Sequence, residues 1–325
     1  MIPELVIASG KGGTGKTSVA AAFATLAGKH AVMVDADVDA ADLHLLLHPT
    51  LHDQRLFYGN QVAEIQPGIC VDCGVCLARC RFGAVRHLDT SSDGHGCSYV
   101  IDETRCEGCG LCRHFCPAQA IRMKDHPAGE SMISSTANGP FVHARLTPGS
   151  GSSGKLVSIL KDSARRIATA KTCKWILVDG PPGIGCPAIA ALSGASLLLA
   201  VTEPTPAGEE DLARLLELAN SFRLPALLCV NRWDINPEQT IRIEALALQV
   251  GVPSAGRIRY DSGFVAAQHQ GLTYADFAAA GNPVNAWEDI QNLWNTVTAQ
   301  LALFASGHHP AVRIASPPAT PRKTP

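Results

Sequence analysis

Short apolar runs rich in β-branched residues alternate along this chain with longer segments of helical periodicity. The apolar runs predict strands over residues 5–8, 31–36, 174–179, 196–202, 226–231 and around 256–259. The periodic segments predict helices over residues 17–27, 154–170, 207–222, 237–250 and 286–304. Alternation of this kind is typical of βαβ units, in which helices cover a parallel sheet. We therefore expect an α/β fold with a mostly parallel sheet flanked by helices.

A cysteine-rich segment interrupts this alternation once, between about Leu56 and Leu146. Stretches that contain Gly, Ser and Pro flank the segment, for example residues 127–139. The simplest explanation is a domain inserted into the α/β fold. The predicted boundaries are 1–55 for the first part of the main domain, 56–126 for the inserted domain, 127–306 for the second part and 307–325 for a disordered tail.

Composition and charge restrict the possible partners only weakly. The 325 residues carry a formal net charge of −2, which provides no general attraction to nucleic acid or to an anionic membrane. No apolar run approaches the ~20 residues that span a bilayer, and no signal segment precedes the first strand. Eight of the twelve cysteines stand in metal-type spacings, which, with the missing signal, indicates the reducing cytosol. We expect a cytoplasmic chain that inserts into no membrane and recognises no specific nucleic acid.

Two predicted helices carry faces that need an interpretation. The last helix has an apolar face that predicts core packing rather than membrane anchoring, because its polar face is acidic. The apolar face contains Trp287, Ile290, Trp294, Val297 and Leu301. The helix at 154–170 is basic, which usually means a solvated face, with a DNA-binding surface as the alternative. The basic residues are Lys155, Lys161, Arg165, Arg166, Lys171 and Lys174.

A glycine-rich loop follows the first predicted strand. Residues 10–17 read Gly-Lys-Gly-Gly-Thr-Gly-Lys-Thr, the G-x4-G-K-T pattern of a phosphate-binding loop, and an Ala-rich helix comes next. Backbone N–H groups and the helix N-terminus would surround the phosphates of a nucleotide. We expect Lys16 to contact the β- and γ-phosphates and Thr17 to bind Mg²⁺. The predicted binding residues are Gly12, Gly13, Thr14, Gly15, Lys16, Thr17 and Ser18.

Eight cysteines form two copies of one spacing, C-x2-C-x2-C-x3-C. The first run is Cys70, Cys73, Cys76 and Cys80, and the second, 36 positions later, is Cys106, Cys109, Cys112 and Cys116. Such a run binds a cubane iron–sulfur cluster through three of its own thiolates and one from the other run. We therefore predict two [4Fe-4S] clusters. Cluster 1 would take Cys70, Cys73, Cys76 and Cys116, and cluster 2 would take Cys106, Cys109, Cys112 and Cys80.

Structural zinc is the alternative for these thiolates, because four-cysteine zinc sites also use C-x2-C pairs. Three cysteines in tandem plus a fourth would leave ligands unused in a zinc site, and Pro117 fits an iron–sulfur run. Arg81 departs from that pattern, since it stands where the first run would have proline. The remaining cysteines Cys97, Cys173 and Cys229 are interpreted as packing or loop residues.

Lys11 gives the phosphate loop a second lysine. It resembles the signature lysine of the deviant Walker A loop in the MinD/ParA family of P-loop ATPases, which includes the nitrogenase iron protein and the Mrp-type carriers. In that family the signature lysine reaches the nucleotide of the partner subunit. The resemblance, which extends to about Phe304, therefore implies an ATPase that forms a homodimer on ATP binding. The chain as a whole resembles a MinD-type ATPase with an inserted two-cluster ferredoxin domain. The resemblance implies that Lys11 and Lys16 are catalytic.

The resemblance also assigns roles to residues downstream. Asp37 resembles the first-switch aspartate that positions the attacking water, with Asp39 as the alternative. Asp179 ends an apolar strand as the Walker B aspartate does, and it would hold Mg²⁺ through water, alongside Thr17 and Asp37. Gly180 resembles the second-switch glycine whose N–H senses the γ-phosphate.

A possible base-recognition element follows a later strand, at Asn231 and Asp234. Asparagine and aspartate at this spacing read guanine in GTPases, whereas the MinD/ParA family uses the asparagine to read adenine. The resemblance therefore favours ATP, with Asn231 as the base-binding residue, and GTP is the alternative.

Cys186 lies seven residues after Asp179, as does a cysteine that holds a subunit-bridging cluster in the nitrogenase iron protein. We favour a cysteine that packs at the start of a helix, and a bridging cluster is the alternative. The chain has no evident second bridging cysteine, and it lacks the C-P-x-C pair of the Mrp-type carriers.

Three functions are compatible with a nucleotide site and two cluster sites in one chain. ATP binding and hydrolysis could gate electron transfer through the clusters to an unknown redox partner. The chain could instead carry iron–sulfur or metal cofactors to an accepting protein, or position cellular components with clusters that are structural or sensory. The complete ligand sets favour stable clusters, and hence the first function.

Overall fold

A computed structural model describes residues 2–88 and 97–306 of the chain. The predicted tail at 307–325 lies outside these residues. The chain divides into two compact units. Unit 1 contains the described residues within Met1–Gln54, Ser131–Ala144 and Gly154–Pro325, and unit 2 contains those within Arg55–Glu130 and Arg145–Ser153.

The described residues form the following regular elements. The strands are β1 Glu4–Ser9, β2 Ala31–Asp35, β3 Thr50–Tyr58, β4 Val62–Ile65, β5 Val85–His87, β6 Tyr99–Ile101, β7 Ile121–Lys124, β8 Pro127–Thr136, β9 Gly139–Leu146, β10 Trp175–Pro182, β11 Leu197–Thr202, β12 Ala226–Asn231 and β13 Ser254–Ile258. The helices are α1 Lys16–Ala27, α2 Leu43–Leu47, α3 Val75–Arg79, α4 Leu111–His114, α5 Ser153–Ala170, α6 Cys186–Leu192, α7 Pro206–Ser221, α8 Pro237–Gln249, α9 Gly263–His269, α10 Tyr274–Ala279 and α11 Trp287–Ala305. Short 3₁₀ turns lie at Gly28–His30 and Trp233–Ile235.

The main sheet has the strand order β13-β12-β11-β1-β10-β2-β9-β8-β3 among the described residues. All strand pairs from β13 to β9 are parallel. Parallel strands need crossover connections, and the helices between them supply these. The mostly parallel α/β sheet expected from the apolar pattern is therefore confirmed. All six predicted strands and all five predicted helices are present, with boundaries that differ by three residues at most.

Three strands of this sheet were not predicted: β3, β8 and β9. Residues 127–139 were interpreted as a flanking stretch because they contain Pro, Gly and Ser, but most of them form β8. Strand formation depends strongly on neighbouring strands, so pairing within the sheet outweighs the weak local preference of these residues. β3 is polar and mostly exposed, so it lacks the apolar signature by which strands are recognised.

The apolar face of α11 packs in the core of unit 1, as predicted. Ile290, Val297 and Leu301 are fully buried. The Trp294 ring makes edge-to-face contacts with Phe23 of α1 and Trp175 of β10, at centroid distances of 4.9 and 5.5 Å. Such pairs add to the burial of the aromatic surface and attach α11 to two other elements.

The basic helix α5 differs in one respect from the predicted solvated face. Lys161 is only 2% exposed, and its Nζ lies 2.8 Å from Glu4 and donates to the Ser193 carbonyl at 2.7 Å. Arg165 forms a second ion pair with Glu4, at 2.9 Å. Burial of a charge requires such partners. Lys161 therefore binds β1 and the end of α6, and Arg165, whose side chain is 41% exposed, binds β1.

Unit 2 is built from two copies of one βαβ motif. The first copy is β4-α3-β5 and the second is β6-α4-β7, and each copy contains one cysteine run. β4 pairs with β7 and β5 pairs with β6, both antiparallel, so each strand pairs with the other copy. The 36-residue repeat also appears in the backbone. Left-handed residues recur in pairs, at Asp72 and Gly108, Gly74 and Gly110, and Gly83 and Gln119.

Candidate nucleotide site and cysteine cavities

The glycine-rich loop connects β1 to α1, and α1 begins at Lys16. Gly15 immediately before the helix has a φ of 92°, and a side chain there would overlap the amide of Asn231. A Cβ at Gly10 would overlap the backbone of Asp211 in α7. Glycine is thus required at both positions, once for the left-handed backbone and once for a close approach between elements.

Lys16 lies at the centre of a group of buried carboxylates in unit 1. Its Nζ donates to the Asp37 carboxylate at 2.8 Å, and the lysine is only 7% exposed. Burial lowers the pKa of Lys16, but the charges of Asp179, Asp37 and Asp35 outweigh burial and raise it. The side chain therefore keeps its positive charge, which a phosphate-binding lysine needs.

The two candidates for the first-switch aspartate differ in burial. Asp37 is buried beside Lys16, whereas Asp39 is exposed. Asp35, at the end of β2, was not singled out in the sequence. It is 1% exposed and accepts hydrogen bonds from the backbone N–H groups of Asp37 and Leu43, both at 3.2 Å. Asp35 thereby orients the segment that carries Asp37, and the repeated Asp-x-Asp at the strand end could have indicated this pair.

Asp179 has the features of a metal-binding carboxylate. It is 1% exposed, and its Oδ1 has no hydrogen-bond partner among the described residues. Burial raises its pKa to about 7, against the opposing effects of Lys16 and a hydrogen bond from Thr17. A carboxylate beside a hydroxyl is a donor set that suits Mg²⁺, which prefers hard oxygen ligands. The buried Thr14 hydroxyl in the loop likewise lacks a described partner.

The strand that carries Asp179 extends beyond the predicted end. β10 continues to Pro182, because the residues after Asp179 run beside β1 and pair Pro182 with Ser9. A Cβ at Gly180 would lie 2.9 Å from the Ile7 carbonyl, and Gly183 N–H donates to Ser9 at 2.9 Å. The second-switch segment is thus held against the strand that leads into the phosphate loop.

Lys11 is paired within its own chain in this structure. Its Nζ lies 3.4 Å from the carboxylate of Glu203, which follows β11, and Arg232 lies 3.4 Å from the same carboxylate. The Lys11 side chain is about one-third exposed. Glu203 was not among the predicted site residues, because it belongs to no recognisable sequence motif.

Asn231 and Asp234 both make hydrogen bonds to the backbone. Asn231 Nδ2 donates to the Thr14 carbonyl at 2.8 Å, and Asp234 accepts from Tyr260 N–H at 2.6 Å. A cavity beside α1 has Asn231 in its wall and contains about 420 Å³ of space, part of it open to solvent. Its lining also includes Gly15, Ser18, Arg232, Arg259, Tyr260 and Phe264. Rings and guanidinium groups of this kind can stack on a nucleotide base.

The eight cysteines of the two runs line two cavities in unit 2. The first cavity has about 330 Å³ of space, part of it open to solvent, and its cysteines are Cys70, Cys73, Cys76 and Cys116. The second has about 360 Å³, and its cysteines are Cys80, Cys106, Cys109 and Cys112. Each cavity thus combines three cysteines of one run with the fourth of the other. The exchange follows from the strand pairing between the two copies of the βαβ motif.

Backbone N–H groups point at several of these sulfurs. Ala63 N–H donates to Cys106 Sγ at 3.4 Å, and Ala120 N–H donates to Cys116 Sγ at 3.3 Å. Burial alone would raise the pKa of Cys80, but the N–H groups of residues 82–85 outweigh it and lower that pKa. This turn forms without the proline that Arg81 replaces, since Gly83 adopts the left-handed conformation that Gln119 adopts in the second run. N–H donors stabilise thiolates, and iron–sulfur sites use them.

The distances between the sulfurs distinguish a zinc site from an iron–sulfur cluster site. Four thiolates around one zinc ion at about 2.3 Å lie roughly 4 Å apart. Among the described residues, no three cysteines of either cavity have sulfurs within 4.8 Å of one another. A single ion therefore fits these cavities less well than a larger cluster does.

Four cysteines lie outside the two runs. Cys173 and Cys229 are buried, as expected for packing residues, and burial raises both pKa values. Cys186 begins α6 and is exposed, so it does not pack at the helix start as we favoured. Cys97 is half-buried, and its sulfur lies within 4.8 Å of the Cys70 sulfur and an Asp72 carboxylate oxygen.

Residues 5–274 match the family model described as the CobQ/CobB/MinD/ParA nucleotide binding domain. This match covers most of the chain, and the chain belongs to that family. It is a P-loop ATPase of the MinD/ParA type.

Two known proteins are similar to this chain in sequence. The chain is 31% identical over 240 residues to the uncharacterized protein MJ0578 of Methanocaldococcus jannaschii, covering 73% of this chain and 80% of the relative. Over 55 residues, 17% of this chain and 56% of the relative, it is 33% identical to pyruvate synthase subunit PorD of Methanothermobacter marburgensis.

A solved structure shows the same fold. The septum site-determining protein MinD of Pyrococcus horikoshii OT3, in complex with Mg-ADP, superimposes with a TM-score of 0.56 at 17% identity. The match covers 91% of this chain and 96% of MinD. Among the described residues, no helix has the length and apolar character needed to cross a membrane.

Proposed function

We propose that this ATPase is an iron–sulfur protein in which ATP binding and hydrolysis gate electron transfer through two [4Fe-4S] clusters. Unit 2 would be the inserted ferredoxin-like domain, predicted at 56–126, and unit 1 would be the ATPase. The observation that carries the proposal is the pair of cavities, each lined by four cysteines in the crossed arrangement that two-cluster proteins use.

The residues of unit 2 fit such clusters in three respects. The thiol groups are four per cavity, they are spaced too widely for one ion, and N–H donors face several of the sulfurs. When bound, a [4Fe-4S] cluster supplies a one-electron redox centre. The protein would hold it with Cys70, Cys73, Cys76 and Cys116 in the first cavity and with Cys80, Cys106, Cys109 and Cys112 in the second. The N–H donors would stabilise its negative charge.

The residues of unit 1 would bind and hydrolyse Mg-ATP. Lys16 would exchange its contact with Asp37 for one with the β- and γ-phosphates, and Thr17 and Asp179 would hold Mg²⁺. Asp37, released from Lys16, would then orient the attacking water. Asp35 would keep it in place through the hydrogen bond to its backbone. Asn231 would position the loop and the base cavity through its bond to Thr14.

Lys11 supports the proposal of an ATP-dependent homodimer. It is partly exposed and held by an ion pair with Glu203, so it could move to a phosphate of a partner subunit without a large burial cost. Nucleotide can shift the redox state of the clusters only if it binds the oxidised and reduced states with different affinities. Dimer closure would be one way to create that difference.

A redox titration of the anaerobically purified protein, monitored by EPR with and without Mg-ATP, tests this function. We expect about eight irons per chain, two cubane signals on reduction, and potentials that move when Mg-ATP is added. A Lys16→Ala variant, which should not bind nucleotide, should show the same signals with no shift. Zinc in place of iron would reject the clusters. Iron with no nucleotide effect would reject the gating.

A cofactor carrier is the second candidate, and one observation favours it. Cys73 in the first cavity and Cys109 in the second are exposed, so an accepting protein could reach one ligand of each site. A carrier would lose iron to a cluster-free acceptor when ATP is hydrolysed, whereas an electron-transfer protein would keep it. Iron retained by this chain after incubation with ATP and a cluster-free ferredoxin distinguishes the two functions. The third alternative, a positioning ATPase, rests on the fold likeness to MinD alone.

A further inference from the structure

A ninth cysteine lies at the edge of the first cysteine cavity, outside both ligand runs. Cys97 Sγ, Cys70 Sγ and an Asp72 carboxylate oxygen all lie within 4.8 Å of one another. Within the part of the chain that the structure describes, this is the only group of three or more potential metal ligands so close together. All three residues belong to unit 2.

The position of Cys97 is fixed by the structure around it. Asp72 accepts hydrogen bonds from the backbone N–H and the hydroxyl of Ser98, both at 2.8 Å. Asp72 has a φ of 55°, which turns this part of the first run towards residues 97–98. Tyr99 begins β6 and lines the first cavity, and its carbonyl accepts from the Cys97 thiol at 3.5 Å. The hydrogen bonds of Ser98 to Asp72 and of the Cys97 thiol to Tyr99 thus hold Cys97 beside Cys70.

The closeness of the two sulfurs determines what Cys97 can do. Each iron of a cubane cluster binds one thiolate, so two thiols that lie side by side compete for one iron instead of binding two. Asp72 is already engaged by Ser98, which leaves the two thiols as the free ligands of this group. With this geometry, Cys97 would compete with Cys70 for one iron and would not add a second ligand.

We propose that Cys97 is a reserve ligand of the first cluster site, able to take the iron that Cys70 normally binds. The exchange breaks the bond from iron to Cys70 Sγ and forms one to Cys97 Sγ. The Cys97 thiol gives up its proton, and Cys70 Sγ takes one up, so neither the charge nor the redox state of the cluster changes. This inference rests on the proposed cluster-binding function.

Alanine variants of the two runs test the exchange, since alanine offers no oxygen ligand. Cys70→Ala should retain about eight irons per chain, with a changed EPR signal for one cluster. Cys73→Ala is the matched control: it removes a ligand of the same cavity that has no such group of potential ligands around it among the described residues, and iron should fall to about four. The double variant Cys70→Ala/Cys97→Ala should also retain about four, whereas Cys97→Ala alone should retain eight.

Alkylation provides a second readout that does not depend on iron content. In the anaerobic holoprotein, iodoacetamide should modify Cys97 in the wild type, because Cys70 holds the iron there. In Cys70→Ala, Cys97 should be protected, and peptide mass spectrometry measures the difference. Modification of Cys97 in both proteins, or loss of half the iron in Cys70→Ala, would overturn the inference but leave the two clusters in place. A wild type without iron would overturn the cluster function, and the reserve ligand with it.

Discussion

Single residues decide the charge balance of the nucleotide site. Asp35, Asp37 and Asp179 are all buried, and Lys16 is the cation in contact with this group. Burial and mutual repulsion raise the pKa values of Asp35 and Asp179, so both carboxyl groups bind protons more tightly than in the unfolded chain. Part of the stability of the folded chain is therefore sacrificed to keep a binding site ready.

Asp179 makes this cost measurable as a pH dependence. Its pKa is about 7 in the folded protein, above the usual 3.8 of an aspartate, so the folded state binds the proton more tightly than the unfolded state. The free energy of unfolding should therefore fall as pH rises from about 4 to 7, and it should level off above 7. In urea titrations without Mg²⁺, Asp179→Asn should reduce this fall by about 1–4 kcal/mol, since one pKa unit corresponds to about 1.36 kcal/mol.

Asp162→Asn is the control for this prediction, because Asp162 is on the surface of the same unit, with its side chain 66% exposed. Mg-nucleotide affinity should also rise with pH up to about 7 in the wild type, since Mg²⁺ needs the ionised carboxylate. In Asp179→Asn, the nucleotide affinity should no longer depend on Mg²⁺. A pH profile of unfolding that is identical in wild type and Asp179→Asn would contradict the assigned pKa.

The ion pair with Glu203 restrains Lys11, the lysine that we propose contacts the nucleotide bound by the partner subunit. Glu203→Gln should free Lys11 and lower the ATP concentration needed for dimerisation several-fold, as measured by analytical ultracentrifugation. Lys11→Ala should still bind ATP but should lose dimerisation and most hydrolysis. The pair is partly exposed, with side chains 32% and 17% exposed, and it contributes little to stability, so neither change should affect folding.

Glu210→Gln in α7 is the matched control, since Glu210 makes only a long contact, of 4.0 Å, with Arg214. It should leave dimerisation unchanged. Normal ATP-dependent dimerisation of Lys11→Ala would show that Lys11 does not act in the partner subunit.

Among the elements, α11 shows how the chain completes the core of unit 1. Its apolar face covers α1 and β13, and Trp294 contacts rings from two other elements. Trp294→Ala should lower the free energy of unfolding by about 2–4 kcal/mol, through lost burial and the cavity that remains. Leu303→Ala on the exposed side of α11 should change it by less than about 0.5 kcal/mol.

Chemical denaturation of both variants measures this difference. Equal losses would mean that α11 does not pack through the face that contains Trp294. The periodicity of α11 predicted this face, whereas its partners in α1 and β10 could not be read from the helix itself.

At the scale of the whole molecule, the two units should carry separable activities. Each cysteine cavity is formed within unit 2, and the nucleotide residues lie within unit 1. Cys112→Ala should remove about half of the iron without a change in ATP affinity. Iron analysis and a fluorescent-nucleotide titration measure the two effects.

A large loss of ATP affinity in Cys112→Ala would mean that unit 1 cannot fold or bind nucleotide without the second cluster. Cys229→Ser, at a buried position in the core of unit 1, is the complementary control. It should reduce stability, because a hydroxyl replaces a buried thiol, and it should leave the iron content unchanged.

The sequence by itself determined the elements whose signals are local. The strands of the parallel sheet are continuous apolar runs because helices cover both faces, and the phosphate loop is marked by its glycines and lysine. The two cysteine runs, with their identical spacing, predicted a metal-binding segment. The roles of Asp37 and Asp179 were assigned by resemblance to the first-switch and Walker B aspartates of the MinD/ParA family.

Only the tertiary structure decided which distant residues meet. Pairing with neighbouring strands made β8 from a stretch with weak strand preference, and burial against Glu4 turned Lys161 from a surface charge into an internal ion pair. Glu203 beside Lys11 and Cys97 beside Cys70 carry no motif, because long-range contacts between loops depend on the complete fold. Spacing along the chain specifies a site only where its residues are close in sequence. Tertiary packing decides which residues from distant segments meet.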